Sequence, residues 1–178
     1  MKMLSLFIAV LLFACNNEKS QTTDAATPAG HAKTSSVSLP YTPGYSSSWS
    51  TDVSDEDLNL VLNSYKDWET GNLDALVSKF ADTLVMEAWD GKHHAMPNTA
   101  YKKMWQPFRD SLSKVEIKFD GWHKMYATDK KEGYIVVWYK EIDTYKDGRV
   151  DSANWHDINQ VKNGKINWYS QYKRPILK

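Results

Sequence analysis

Two dipeptides near the carboxyl end of the chain, Asp147-Gly148 and Asn163-Gly164, constrain the fold more than any other feature of the sequence. Both favour two-residue β-hairpin turns, because aspartate, asparagine and glycine accept the positive φ angles that such turns require. They separate segments rich in β-branched and aromatic residues, over 134–145, 154–162 and 165–172. The sequence therefore predicts three consecutive antiparallel strands joined by tight hairpins.

The two turns also predict which side chains share a face of this sheet, since successive residues of a strand point to opposite faces. A two-residue turn at each dipeptide places Asp157 opposite Trp138 in one neighbouring strand and opposite Ser170 in the other. The face that should meet the helices then carries Tyr134, Trp138, Trp155, Val161, Ile166, Trp168 and Tyr172, with Asp157 and Asn159 among them.

Asp157 is the anomaly of this predicted face, because it is a carboxylate among aromatic rings. Burial should raise the pKa of its carboxyl and make it a neutral hydrogen-bond donor. Two interpretations stay open: Asp157 holds a carbonyl or enolate oxygen of a ligand, or it is satisfied by Tyr65, a tryptophan N–H or water and only specifies the core. Asn159 is a candidate to extend the polar patch, and His123, whose face is undetermined, is the candidate general base.

Three amphipathic helices precede the sheet. Ser54 and Asp57 resemble an N-terminal capping pair, and Gly71 stands where a C-terminal cap belongs. A second helix is predicted over 73–80 and a third from 98, with Pro107 expected to kink or end it. Strands are predicted over 84–89, 115–119 and 122–127, with Gly121 as a bulge. Three helices followed by a long antiparallel meander predict an α+β domain.

The first residues predict export rather than fold. A short apolar run after Lys2 ends in Leu12-Phe13-Ala14-Cys15, which resembles a bacterial lipobox, so residues 1–14 are predicted to be a signal peptide and Cys15 the lipidated residue. The alternative is an incidental thiol after an ordinary signal peptide. Asn16 is no obvious retention residue, so the outer membrane is the preferred location. Residues 15–51 read as a disordered tether, and 52–178 as the folded domain. Three aromatic residues near the end of the tether either dock on the domain or act as spacers: Tyr41, Tyr45 and Trp49.

Composition narrows the function classes. Lys plus Arg and Asp plus Glu both number 22, which argues against a nucleic-acid binder that works through a basic face. The single cysteine offers no disulfide, and no spacing of histidines or carboxylates predicts a metal site or a cofactor. The chain is instead rich in aromatic residues, which make up 13% of it.

A set of short motifs resembles the nuclear transport factor 2-like superfamily, and within it the SnoaL-like group. These motifs are Trp68-Glu69-Thr70-Gly71-Asn72-Leu73-Asp74 between two helices, Phe80-Ala81-Asp82 before a strand, and Gly164-Lys165-Ile166 in the last hairpin. The resemblance implies three N-terminal helices packed on a strongly curved antiparallel or mixed sheet, which forms a cone around a pocket. The superfamily includes ketosteroid isomerases, polyketide cyclases, epoxide hydrolases, dehydratases and non-catalytic domains, so the fold does not choose a function.

Of the three functional positions of the ketosteroid isomerases, this sequence retains the residue type at one. Asp157 matches the protonated oxyanion-hole aspartate of that family. The position of the general base is Ala88, and that of the oxyanion-hole tyrosine is Ser64, with Tyr65 one residue further on. Steroid isomerisation is therefore not the expected reaction.

Three functions remain open. The first is a lipid-anchored module that binds a small apolar or aromatic molecule through Tyr65, Trp138, Trp155, Asn159, Trp168 and Tyr172. The second is an isomerase, cyclase or hydrolase that uses Asp157 with His123 or Glu87 as base. The third is a structural domain whose cone is filled by its own tryptophans and whose convex sheet face forms a homodimer. A cavity of several hundred Å³ with a second titratable group would favour the enzyme, and one with Asp157 alone would favour binding.

Overall fold

The computed structural model describes residues 38–176, and its first strand begins at Trp49. Residues 1–37, which include the predicted signal peptide, Cys15 and most of the predicted tether, lie outside the described residues, as do residues 177–178. No helix in the described part has both the length and the apolar character needed to cross a bilayer.

Three helices and seven strands make up the domain within residues 38–176. The helices are α1 (Asp55–Thr70), α2 (Leu73–Ser78) and α3 (Asn98–Ser111). The strands are β1 (Trp49–Ser50), β2 (Phe80–Glu87), β3 (His93–Pro97), β4 (Leu112–Ala127), β5 (Glu132–Tyr145), β6 (Val150–Lys162) and β7 (Lys165–Pro175). They form one curved sheet in the order β1-β4-β5-β6-β7-β2-β3, in which β2 and β7 run parallel and the other pairs antiparallel. The predicted α+β class is confirmed.

The ends of α1 are those that the sequence predicts. The Ser54 hydroxyl oxygen accepts a hydrogen bond from the Asp57 amide (3.0 Å), which satisfies one of the amides left open at a helix start. Gly71 ends the helix in the left-handed conformation, with φ of 77°. Hydrophobic side chains of α1 then face the sheet, where Val61 is fully buried.

The Arg109 side chain of α3 is hydrogen-bonded to the carboxyl end of α1. Arg109 donates from Nε to the carbonyl oxygen of Trp68 (3.0 Å) and from Nη2 to that of Glu69 (2.9 Å). The guanidinium thus satisfies carbonyl groups that a helix end leaves without partners. Its helix passes through Pro107 and continues to Ser111, so the proline does not end it.

Tyr145 and Arg149 are paired across the turn between β5 and β6, where the Tyr145 N–H donates to the Arg149 carbonyl oxygen (2.8 Å), and they close a loop of three residues, 146–148, one more than predicted. The Gly148 N–H donates to the Tyr145 carbonyl oxygen (3.0 Å), and Gly148 has φ of 87°, as in a turn followed by a glycine bulge. The extra residue shifts the pairing by one, so Trp138 lies opposite His156 rather than Asp157. The predicted position of Trp138 on the Asp157 face is therefore wrong.

The turn between β6 and β7 is the predicted two-residue turn, but the strand after it is irregular. Asn163 and Gly164 both have positive φ, and Val161 pairs with Ile166 as expected. Asn167 is then an extra residue without an opposite partner, which makes it a bulge.

This bulge exchanges the faces of β7, because a shift of one residue turns every later side chain to the other side of the sheet. Trp168 pairs with Gln160 and Tyr172 with His156, so both lie on the face opposite to Asp157. Their predicted positions, and that of Ser170, are wrong for the same reason. The Asp157 face of β7 carries Tyr169, Gln171 and Lys173 instead.

We call the Asp157 face of the sheet the inner face, since the helices pack against it, and the opposite one the outer face. The core between the inner face and the helices includes Val61, Tyr65, Leu73, Leu76, Leu84, Ile135, Val137, Tyr139, Val161 and Ile166.

Residues before the predicted domain boundary at 52 belong to the sheet or pack on its outer face. Tyr45 and Trp49 place their rings 6.3 and 6.1 Å from the ring of Tyr134, and the Tyr45 and Tyr134 hydroxyls are hydrogen-bonded (2.8 Å). Trp168 contacts Tyr134 from the other side (6.5 Å). Tyr45 and Trp49 therefore dock on the domain, whereas Tyr41 is 86% exposed.

Candidate functional site

A cavity of about 400 Å³ lies between the inner face and the helices. Its size is that of a pocket for a small organic molecule. Ten aromatic residues line it: Tyr65, Trp68, Phe80, Trp89, Trp105, Phe108, Tyr139, Tyr145, Trp155 and Tyr169. The polar lining consists mainly of Ser64, Asn159, Gln171, Lys173 and the carboxyls of Glu141, Asp143, Asp151 and Asp157. We refer to it below as the aromatic cavity.

Asp157 lies on the wall of the aromatic cavity with none of its surface exposed. The hydroxyls of Tyr65 and Tyr139 both donate to its Oδ2, at 2.9 and 3.0 Å. The Asn159 side-chain amide donates to the Tyr65 hydroxyl (3.1 Å), which leaves the tyrosine proton directed toward Asp157. The Oδ1 atom of Asp157 is buried without a hydrogen-bond partner of normal geometry among residues 38–176.

These contacts determine where the proton of Asp157 resides. Burial raises the pKa of the carboxyl from 3.8 to about 7, and the hydrogen bonds from Tyr65, Tyr139 and the neighbouring Gln171 moderate the rise. Because Oδ2 already accepts two hydrogen bonds, the proton of the neutral acid belongs on Oδ1. The neutral acid thus carries an O–H group on Oδ1, beside the Gln171 side chain, for which residues 38–176 show no acceptor of normal hydrogen-bond geometry.

A second set of carboxyls, which we call the carboxyl cluster, consists of Glu141, Asp143 and Asp151 on β5 and β6. Glu141 is 8% exposed and accepts a hydrogen bond from the indole N–H of Trp68 (3.4 Å). Asp143 lies opposite Asp151 across the strand pair and shares a hydrogen bond with the Glu141 carboxyl, while no N–H or hydroxyl of residues 38–176 donates to its buried Oδ1. Burial is the main cause that raises the pKa of both Glu141 and Asp143.

Four of the predicted site residues line the aromatic cavity: Tyr65, Trp155, Asp157 and Asn159. Tyr65, one residue beyond the position that matches the ketosteroid isomerase tyrosine, is the residue whose hydroxyl reaches Asp157, whereas the Ser64 hydroxyl donates to the Val61 carbonyl oxygen. Trp155 stacks on Tyr139, with ring centroids 6.4 Å apart.

The other predicted site residues lie on the outer face. Trp138 stacks on His156 (5.1 Å), Tyr172 is tilted against the same ring (6.1 Å), and Trp168 packs on Tyr134. His123 pairs with Val136, which also places it on the outer face, away from Asp157. The general base that was expected to work with Asp157 is thus not within the aromatic cavity.

Glu87, the alternative base, does not line the aromatic cavity either. Its carboxylate contacts the Nδ1 atom of His93 (2.8 Å) at the surface, between β2 and β3. Within residues 38–176, no group of three or more histidine, cysteine, aspartate or glutamate side chains is arranged to hold a metal ion.

The carboxyl cluster is the part of the site that sequence reasoning missed. Tyr139, Glu141 and Asp143 alternate along β5, so they share a face, and that pattern is visible in the sequence. The signal was lost because the two-residue turn assumed at Asp147-Gly148 put these residues on the wrong face. With the three-residue loop, the same counting places all three on the inner face beside Asp157.

Comparison with known proteins identifies the fold of this domain. No family model matches the chain, and no curated protein does. Among solved structures, AusH from Aspergillus nidulans has a TM-score of 0.57 at 14% identity, over 71% of this chain and 88% of that one. An LEH-like epoxide hydrolase from M. tuberculosis also has a TM-score of 0.57, at 11% identity over 67% and 84% of the two chains.

An NTF2-like protein of unknown function from Exiguobacterium has a TM-score of 0.52 at 18% identity, over 64% of this chain and 97% of that one. Identities of this size are evidence for fold and not for reaction. The domain has the nuclear transport factor 2-like fold, as its short motifs predicted. The proteins with this fold include enzymes as well as members without a known function.

Proposed function

We propose that this domain binds a small, largely apolar molecule in the aromatic cavity, with an acceptor oxygen of that molecule hydrogen-bonded to Asp157. The observation that carries the proposal is that Asp157 lines the cavity while its buried Oδ1 lacks a hydrogen-bond partner of normal geometry within residues 38–176. A buried polar group without a partner costs about 1–3 kcal/mol, and a ligand carbonyl would remove that cost.

The walls of the cavity support the apolar part of the proposal. Trp155 and Tyr139 are stacked with an interplanar angle of 9°, and both line the cavity together with Asp157. On the helix side, Trp68 stacks on Phe108 with ring centroids 6.1 Å apart. Flat aromatic walls of this kind favour a planar or alicyclic body through area burial and ring contacts.

The binding test uses Prodan, a neutral naphthalene ketone whose emission moves to shorter wavelength in apolar surroundings. We expect Prodan to bind, and Trp155→Ala to weaken binding about tenfold through loss of wall area. Trp138→Ala is the matched control, because Trp138 lies on the outer face and its removal should leave affinity unchanged. Trp155→Phe guards against misfolding and should give an intermediate affinity. No Prodan binding, or equal losses in the two alanine variants, would contradict the proposal.

Acid–base catalysis on the bound molecule is the second candidate function. The observation that favours it is the carboxyl cluster, a second titratable group in the same cavity as Asp157. Asp157 would stabilise an oxygen that becomes negative, and Glu141 or Asp143 would exchange a proton with a neighbouring carbon or oxygen. Binding is the step that both functions share, and for that reason it is the function we put first.

We also propose that Cys15 anchors the protein to a bacterial membrane by its acyl chains, with the outer membrane preferred. The support is the apolar run that ends at Cys15, the only cysteine of the chain. Detergent phase partitioning of protein from its own host tests this, since acyl chains carry a protein into the detergent phase. We expect wild-type protein in the detergent phase and Cys15→Ser in the aqueous phase. Equal partitioning of the two would contradict the anchor.

A further inference from the structure

The carboxyl cluster places carboxyls without a cationic partner in the aromatic cavity. Asp151 is paired with Arg149 (2.9 Å), but neither Glu141 nor Asp143 forms an ion pair within residues 38–176. Glu141 is nonetheless buried to more than nine-tenths. Buried carboxyls are ordinarily paired with a cation or fully hydrogen-bonded, because desolvation of the charged form is costly.

The nearby cations of the protein are engaged elsewhere. The guanidinium of Arg109 is held by the carbonyl oxygens of Trp68 and Glu69. The ammonium of Lys173 lies over the rings of Trp89 and Trp155, 4.8 and 5.1 Å from their centroids. These two cations lower the pKa of Asp143 at a distance, but burial outweighs them and the net shift is upward. Glu141 and Asp143 could therefore hold a positive charge, and no cation of the described chain is in contact with either of them.

The surrounding rings suit such a charge. A cation gains about 0.5–2 kcal/mol over the face of an indole or phenol ring. Lys173 already places an ammonium group between two rings that line this cavity. On the other side of Glu141, Trp68 lines the cavity and donates its indole N–H to that carboxyl.

We infer that the molecule bound in the aromatic cavity carries a basic nitrogen, and that its ammonium group is held by Glu141 and Asp143 while its apolar body rests on the aromatic walls. This inference rests on the proposed binding function and narrows its ligand class to cationic amphiphilic molecules. Carboxylic acids and phosphates are disfavoured, since they would bring a second negative charge to the buried carboxyls.

The experiment compares three probes with one apolar body by isothermal titration calorimetry: naphthylmethylamine, naphthylmethanol and naphthoate. Because burial raises the pKa of Glu141 to about 8, the comparison is made at a pH of about 8, where we expect the amine to bind about tenfold more tightly than the alcohol and naphthoate to bind most weakly. Glu141→Gln keeps the shape and the acceptor for Trp68 but removes the charge, and should bring the amine down to the affinity of the alcohol. Glu116→Gln is the matched control, because Glu116 pairs with Lys114 at the surface and should change neither affinity.

The pH dependence supplies a second readout. Amine binding favours the ionised carboxyls, so its affinity should rise from a pH of about 6 to about 8, while that of the alcohol should not rise. The titratable and charged groups that face Glu141 are Asp143, Asp151, Asp157, Tyr139, Tyr169, Lys173 and Arg109.

The outcomes distinguish failure of the basic-nitrogen inference from failure of the proposed binding function. Equal affinities of amine and alcohol would overturn the basic nitrogen but leave the binding function standing. An amine preference that survives Glu141→Gln and disappears in Asp157→Asn would overturn the assignment to the carboxyl cluster. Failure of all three naphthalene probes and of Prodan would overturn the binding function itself.

Discussion

At the scale of single residues, the behaviour of Asp157 results from two opposed effects. Burial disfavours the charged carboxyl, and the hydroxyls of Tyr65 and Tyr139 favour it, with burial the larger effect. The sequence predicts the burial, because Asp157 lies on a strand whose neighbours at alternate positions are Trp155 and Asn159. It names Tyr65 as one of three candidate partners and does not choose among them, because 92 positions separate the two residues and only the packing of α1 on the sheet brings them together.

The raised pKa of Asp157 predicts how stability depends on pH. The folded protein holds the proton up to about pH 7, whereas the unfolded chain releases it near 3.8, so folding takes up a proton between these values. The free energy of unfolding should therefore lose up to about 4 kcal/mol from this group as the pH rises from about 4 to about 7. The side chain introduced by Asp157→Asn cannot ionise, so the free energy of unfolding of this variant should increase relative to that of the wild type as the pH rises across this range.

Urea unfolding at several pH values measures the difference between wild type and Asp157→Asn. Glu141 lowers the free energy of unfolding in the same direction in both proteins, so most of its contribution cancels in the difference. The ionised Asp157 also raises the pKa of Glu141, and this coupling is included in the measured difference. Asp52→Asn, at an exposed aspartate, is the control and should track the wild type. If the difference in the free energy of unfolding between wild type and Asp157→Asn stays constant with pH, folding does not raise the pKa of Asp157.

At the scale of elements, the hairpins explain both the success and the failure of prediction from sequence. The existence, order and type of β5, β6 and β7 follow from Asp147-Gly148, Asn163-Gly164 and the alternating segments between them. Their faces do not, because a three-residue loop at the first turn and a bulge at Asn167 each add one residue. The dipeptide Asp-Gly fits both a two-residue turn and a three-residue loop with glycine at the bulge.

One strand kept its predicted faces, and the reason is physical. Trp155, Asp157, Asn159 and Val161 stay together on one side of β6, since alternation within a single strand does not depend on its neighbours. The errors arise where one strand is placed against another, at Trp138 and Trp168. Assigning residues to a face of the sheet is therefore more reliable within one strand than across a turn.

At the scale of the whole molecule, the aromatic content that stands out in the sequence is divided between two places. One part lines the aromatic cavity, as Trp68, Trp89, Trp105 and Trp155 do. Another covers the outer face, where Trp49 and Trp168 flank Tyr134 and Trp138 stacks on His156. Composition alone does not distinguish the two, whereas the resemblance of short motifs did predict the three-helix, curved-sheet architecture that positions the cavity.

The cavity combines groups from distant parts of the chain. Asp157 comes from β6, its hydroxyl partners from α1 and β5, and the carboxyl cluster from β5 and β6. The helices and the sheet thus place an O–H donor and two carboxyls without a cation on the walls of one apolar space. We expect the ligand to match that arrangement, with an acceptor oxygen, an apolar body and a basic nitrogen.

The most direct test of the site is the titration of the Asp157 carboxyl itself, followed by NMR of protein labelled at the aspartate carboxyl carbon. Asp157→Asn assigns the signal, and the titration is run without and with saturating Prodan. We predict a midpoint of about 7 without the ketone and a higher one with it, because a ligand oxygen that accepts a hydrogen bond from the Asp157 O–H stabilises the protonated form. Ionisation of Asp157 in the ordinary range of aspartate, or a midpoint that saturating Prodan does not move, would contradict the assignment of Asp157 as the ligand-binding donor.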